Sequence, residues 1–102
     1  MEIRTALFPH GKLGLSPGVV KAMQAESEMT GTEPLRVPLT LLALHVHGDY
    51  GNIDSEDWTA NENAIIDGGC ILSAHTLTTG QIVWVLTEAD RTSTTFILPE
   101  EY

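Results

Sequence analysis

Several things are scarce in this sequence, and each shortage removes a class of reading. There is one cysteine, Cys70, so no internal disulfide forms. Its surroundings, "GGCILSAH", hold no CxxC or HxxxH spacing for zinc, which leaves Cys70 as an expected small core residue. No run of about 18 apolar residues occurs that would span a membrane. The start, "MEIRTALFPHGKLG", lacks a basic region followed by a long apolar stretch and a cleavage site, so the expectation is a soluble, cytoplasmic protein. Internal repeats and low-complexity segments are also missing.

Basic residues are the most informative shortage. Residues 1–48 hold four acids (Glu2, Glu26, Glu28, Glu33) and four bases (Arg4, Lys12, Lys21, Arg36). Residues 49–102 hold ten acids against one base, Arg91, so the whole net charge of −9 falls in that half. Phosphate binding needs a basic patch that releases counterions, which argues against a direct nucleic-acid partner. An acidic surface attracts a basic protein surface instead, including one that normally holds DNA or RNA.

What is present fits one small domain spanning residues 1–102, with 42% apolar and 19% charged residues. In "LSPGVVKAMQAE", Ser16 is placed as N-cap and Pro17 at the first helical position, with Val19, Val20 and Met23 on one face of a short helix. "SEMTGTEPLR" is then a loop. "PLTLLALHVHG" is apolar at Leu39, Leu42, Ala43 and Val46 and ends at Gly48, a second helix from Pro38. Asp54 or Ser55 caps a third helix that opens on Glu56 and Asp57 and stops at Gly68 and Gly69.

After the helices come period-2 segments. Strands are predicted at 70–77, 81–88 and 94–98, joined by turns at "TTG" and "ADRTS" in a three-stranded antiparallel meander. A short strand at 4–8 or 12–15 is the candidate for an additional edge. The fold class is therefore α+β, three helices and then a meander. Trp84 and Leu86 are expected to face the helices with Leu42, Val46, Ile65, Leu72 and Phe96.

Candidate chemistry is sparse. His45 and His47, two apart on a helix, point about 200° apart and cannot share a metal ion, so both read as partly exposed residues favoured by the helix C-terminus. His75 falls on one strand face with Ile71 and Ser73, expected to be the less buried one. Asp49 in "HGDYG" reads as a turn residue, and Asn61 and Glu62 as a solvated helix face. "TEADRTSTT" is the densest polar cluster, and an acid and an arginine beside hydroxyls are groups that act as general base and phosphate clamp. The competing reading is that Asp90 and Ser93 hold the turn while Arg91 pairs with a neighbouring carboxylate or carbonyl. No cofactor and no metal is expected.

The blocks "LLALHVHGDYGNIDSEDWTANENAI", "GGCILSAHTL" and "WVLTEADRTSTTFILPEEY" resemble a family of small bacterial proteins carried on plasmids, prophages and integrative elements. Members are called plasmid-related proteins and are sometimes mislabelled as type I restriction endonuclease subunits. The resemblance covers residues 39–102 and the "SPG" helix start, and departs from the family at Tyr50 in place of Trp and Cys70 in place of a base. It implies a mobile-element setting and no particular chemistry.

These observations lead to an acidic, non-enzymatic protein of a mobile genetic element that binds a protein partner with a basic surface. The sharper form is interference with a host defence or nucleic-acid enzyme by charge mimicry. Asp49, Tyr50, Asp54, Glu56, Asp57 and Glu62 are the expected partner-contacting residues, and a homodimer is left open. The alternative, by analogy of element order with barnase-like and RelE-like ribonucleases, is an enzyme acting through His45, His75, Glu88, Arg91 and Thr94.

Overall fold

Ser16 starts the first helix by a local exchange of hydrogen bonds. Its backbone is extended (φ −68°, ψ 158°), its Oγ accepts from the Val19 N–H at 3.2 Å, and Pro17 follows at the first helical position. This satisfies one of the amides that a helix start leaves open. In the computed structural model, which describes residues 5–102, the elements in chain order are β1 (Lys12–Leu15), α1 (Pro17–Thr30), α2 (Arg36–Val46), α3 (Ser55–Asp67), β2 (Ile71–Thr76), β3 (Ile82–Thr87), β4 (Ser93–Ile97) and a terminal 3-10 turn, Pro99–Glu101.

The helices stand where expected, with shifted ends. α1 runs on through the segment read as a loop until Gly31, which takes the left-handed conformation (φ 73°) and donates to the Ser27 carbonyl. α2 begins at Arg36 rather than Pro38, because a proline inside the first turn has no helical partner for an N–H and breaks nothing. Asp54 caps α3, accepting from the Asp57 N–H at 2.8 Å.

β2, β3 and β4 form the expected antiparallel meander. The sheet is nevertheless four-stranded and mixed, in the order β1-β4-β3-β2, because β1 adds to β4 in parallel. Of the two candidate edge segments, 12–15 is the strand. Residues 5–8 are not, and Arg4 lies outside the described residues. Gly11 permits the approach, since a Cβ there would lie 2.4 Å from the Thr92 carbonyl group.

The sheet face is inverted relative to the sequence reading. Ile71, Ser73 and His75 of β2 and Val83, Val85 and Thr87 of β3 are buried against the helices, while Leu72, Trp84 and Leu86 lie half-buried on the other face. The larger side chains pointed to the wrong face because the buried one contains polar residues whose hydrogen bonds come from α2, a contact that alternation cannot show. Trp84 instead meets Tyr102 edge-on at 5.6 Å. The core joins Val83, Val85, Ile71 and Phe96 to Val19 and Met23 of α1 and Leu41, Leu42 and Val46 of α2. Ile65 packs at its margin. Cys70, expected inside, is exposed at the start of β2.

The β2 edge of the sheet is closed. Asn61 of α3, read as solvated, is buried, donates to the Leu72 carbonyl at 2.7 Å and accepts from the Leu72 N–H at 3.1 Å. Ala74 is bonded by the Tyr50 carbonyl and the Asn52 N–H. One side-chain amide thus imitates a missing strand. Asn61→Ala is expected to cost about 1–3 kcal/mol in urea unfolding, since both Leu72 backbone groups lose their partner. A cost near zero would mean that water replaces the amide at that edge.

Candidate functional site

Arg91 answers the main question of the charge pattern. It occupies the left-handed region (φ 61°), a conformation that costs a non-glycine residue roughly 1–2 kcal/mol. Its Nη1 donates to the Gly69 carbonyl at 2.6 Å and the Glu88 carbonyl at 3.1 Å, and its Nη2 to the Ala64 carbonyl at 2.9 Å. The guanidinium also lies 5.7 Å from the centroid of the Phe8 ring. A planar fork of donors suits this task and an ammonium does not. Arg91 thereby fastens the C-terminal end of α3 to the β3–β4 turn. Asp90 does not pair with it, accepting instead from the Thr92 N–H at 3.0 Å and hydroxyl at 2.6 Å, which lower its pKa.

His45 is fully buried, not partly exposed. α2 directs it at the sheet, where Nδ1 lies 2.7 Å from Ser73 Oγ and Nε2 2.9 Å from Thr87 Oγ1. Thr87 Oγ1 is 2.7 Å from Thr94 Oγ1, which donates to the His10 carbonyl at 2.7 Å. A carbonyl only accepts, so the direction of the chain is fixed from that end. Thr94 spends its proton on His10, Thr87 donates to Thr94, and Nε2–H of His45 donates to Thr87. Nδ1 must then accept from Ser73. Burial pushes the His45 pKa down to about 3, with His75 adding to the effect. His75 is buried too, and desolvation lowers its pKa against an opposing contribution from Asp49. Its Nε2 and the hydroxyl of Tyr50 are buried and have no hydrogen-bond partner among the described residues.

Phe8, His45, Tyr50 and Trp58 form a run of edge-on rings, with centroids 5.3, 6.2 and 5.2 Å apart in succession. Tyr50, expected to touch a partner, is inside this run and 1% exposed. An aromatic residue beside a glycine turn reads as surface, but the bridge between Gly51 and Ala74 draws it under the sheet edge.

The proposed catalytic set is therefore dispersed by environment. His45, His75 and Thr94 are buried, Glu88 is exposed on its turn, and Arg91 is engaged by carbonyls. The proposed contact carboxylates Asp49, Asp54, Glu56, Asp57 and Glu62 are all exposed, in α3 and the loop before it. Asp49 does hold a turn, accepting from the Gly51 N–H at 3.1 Å. Among the described residues, no three His, Cys, Asp or Glu side chains gather closely enough to hold a metal ion. No described helix is long and apolar enough to cross a membrane.

Sequence reasoning missed a cleft of about 400 Å³ between α1, α2 and the β2–β3 turn, bordered by Glu26, Arg36, Thr40 and Thr78. Glu26 is a structural part of it: its carboxylate accepts the Thr78 and Thr79 N–H groups at 3.1 Å each, and these bonds outweigh burial to lower its pKa. A buried Glu at the end of an apolar helix face was the available signal. Ser73 and Thr87 carried none, since their partner is remote in sequence. In comparison with known proteins, no family model, curated protein or solved structure matches this chain.

Proposed function

We propose that this is a non-enzymatic binding protein whose acidic end takes a basic surface of another protein, one that otherwise holds nucleic acid. One observation carries the reading. The only cation of residues 49–102 is spent on three backbone carbonyls inside the fold, so the exposed carboxylates of the 49–62 segment have no neutralising neighbour from their own half of the chain. A field of one sign raises the rate of encounter with the opposite sign and repels phosphates. The ribonuclease alternative has less support, because His45 and Thr94 offer no atom to a substrate and Arg91 is not free to clamp one. The resemblance to plasmid-related proteins suggests a host defence or nucleic-acid enzyme as the partner.

The test compares captures from a native host lysate by wild-type protein and by a variant with Asp54→Asn, Glu56→Gln, Asp57→Asn and Glu62→Gln. Asn caps a helix as well as Asp, so the variant should keep its fold. The expected result is a basic protein captured by wild type, released by added duplex DNA or high salt, and absent with the variant. Equal capture by both proteins would overturn the reading. So would RNA cleavage by purified protein that Arg91→Ala abolishes without lowering the melting temperature.

A further inference from the structure

We propose that β1 pairs antiparallel with the β1 of a second copy, joining two sheets into one of eight strands. The two sheet edges are treated unequally by this sequence. The β2 edge is occupied by Asn61 and by the backbone of Tyr50 and Asn52. Among the described residues, no strand pairs with the outer edge of β1. Lys12 and Ser16 donate to the Thr92 and Phe96 carbonyls of the β4 side at 3.0 Å, so ladder alternation turns the N–H and C=O groups of Leu13 and Leu15 outward. An open row of this kind binds a strand through main-chain hydrogen bonds and selects it by side chains.

The side chains select an apolar strand. Leu13 and Leu15 are 46% and 44% exposed. Beside them is a small groove of about 140 Å³, lined by Leu15, Val20, Met23, Leu35 and Pro38 among others, with no ionisable side chain in its wall. Leu35 is 71% exposed at its rim. A two-fold axis at Gly14 sets Leu13 of each copy against Leu15 of the other, forming four backbone hydrogen bonds and clustering four leucines over the grooves.

Charge names the occupant. A strand of a second copy is itself apolar at these positions and comes from the half of the chain whose charges cancel. With strand order β1-β4-β3-β2, the acidic loop and α3 lie beside β2, at the outer ends of the joined sheet. The two acidic ends are then separated by eight strands, each about 4.8 Å from the next, several Debye lengths apart at physiological salt. Isologous pairing thus adds contact without adding close repulsion.

Sedimentation equilibrium tests this independently of the acidic-end reading. At about 100 μM the wild-type chain should sediment at twice its 11.1 kDa mass. Leu15→Lys, at an exposed site, should weaken association by about tenfold or more, because it places a charge against leucines. Leu13→Pro removes only an outward N–H and should do the same, with circular dichroism melting as the control for fold. The fourfold variant of the acidic end should remain dimeric. A monomeric wild type at that concentration, or a dimer that Leu15→Lys leaves unchanged, overturns the proposal.

Discussion

Arg91→Ala is expected to lower the free energy of unfolding by about 2–4 kcal/mol, far more than an exposed ion pair contributes. Three carbonyls, from Ala64, Gly69 and Glu88, lose a charged donor at once. The Phe8 ring also loses the cation at its face. Alanine gains nothing back, since it must hold the same left-handed backbone. Glycine does, so Arg91→Gly should be less damaging than Arg91→Ala by about 1 kcal/mol. Arg91→Lys should recover little, because a point charge cannot reach three carbonyls in a fork. Urea unfolding of the three variants at unchanged m-value measures the ranking. A loss below about 1 kcal/mol for alanine would mean that water serves those carbonyls equally well.

Acid should destabilise the fold well before its carboxylates titrate. His45 has a folded pKa of about 3 against an ordinary value of 6.5. Between these two pH values the unfolded chain binds a proton at this site that the folded chain refuses. Stability is therefore fully present above pH 6.5 and falls as pH drops, by about 1.4 kcal/mol per unit and about 5 kcal/mol once pH 3 is reached. That is comparable to the whole stability of a small domain. His75 shifts in the same direction. At lower pH, through and below the usual glutamate range, Glu26 adds a further loss, because its lowered pKa makes the carboxylate form the stabilising one. Neutralising the other acids relieves self-repulsion and works the opposite way. The clean window is thus pH 6.5 to 5, above the ordinary carboxylate range of about 4. Unfolding free energies there should fall in wild type and fall less steeply in His45→Gln, although that variant starts less stable at pH 7. Equal slopes would show that His45 is not the group responsible. Nitrogen NMR should find the Nε2–H tautomer throughout this range.

Local signals in the sequence were sufficient for elements and insufficient for faces. Ser16, Asp54 and Gly68 mark helix ends through interactions within a few residues, and such interactions are written in the chain; Gly31 caps α1 in the same way, inside a segment read as a loop. β2, β3 and β4 alternate clearly enough to be found. Which side of them is buried depends on α2, since Ser73 and Thr87 are tolerated inside only because His45 supplies their hydrogen bonds. Polar residues facing a polar partner across the core look like a solvent face when read alone. Asn61 misled for the same reason: its partner, Leu72, belongs to another element. The site reading divides along the same line. The carboxylates of the 49–62 segment are exposed, as charged residues ordinarily are, and Arg91 was legible as a turn fastener, but nothing local indicated that its acceptors were carbonyls of α3 and the turns on either side.

The clasp at the chain's last turn has a temporal consequence. Glu101 accepts from the Ser16 hydroxyl at 2.5 Å and the Gly18 N–H at 3.1 Å, and β1 takes its hydrogen bonds from β4. Both contacts join the beginning of the domain to its end. At about 5–20 residues per second, a ribosome makes the partner of Lys12 roughly 4–16 s after Lys12 itself. Throughout that interval the first strand is unpaired and the first helix lacks its anionic clasp, and the β2–β3 hairpin is itself completed only near its end, when Thr87 is made. Such long-range closure slows folding. The last step of maturation should therefore be the docking of residues 12–18 onto a finished meander, and until it happens both backbone edges of that strand, not the outer one alone, are without a partner strand.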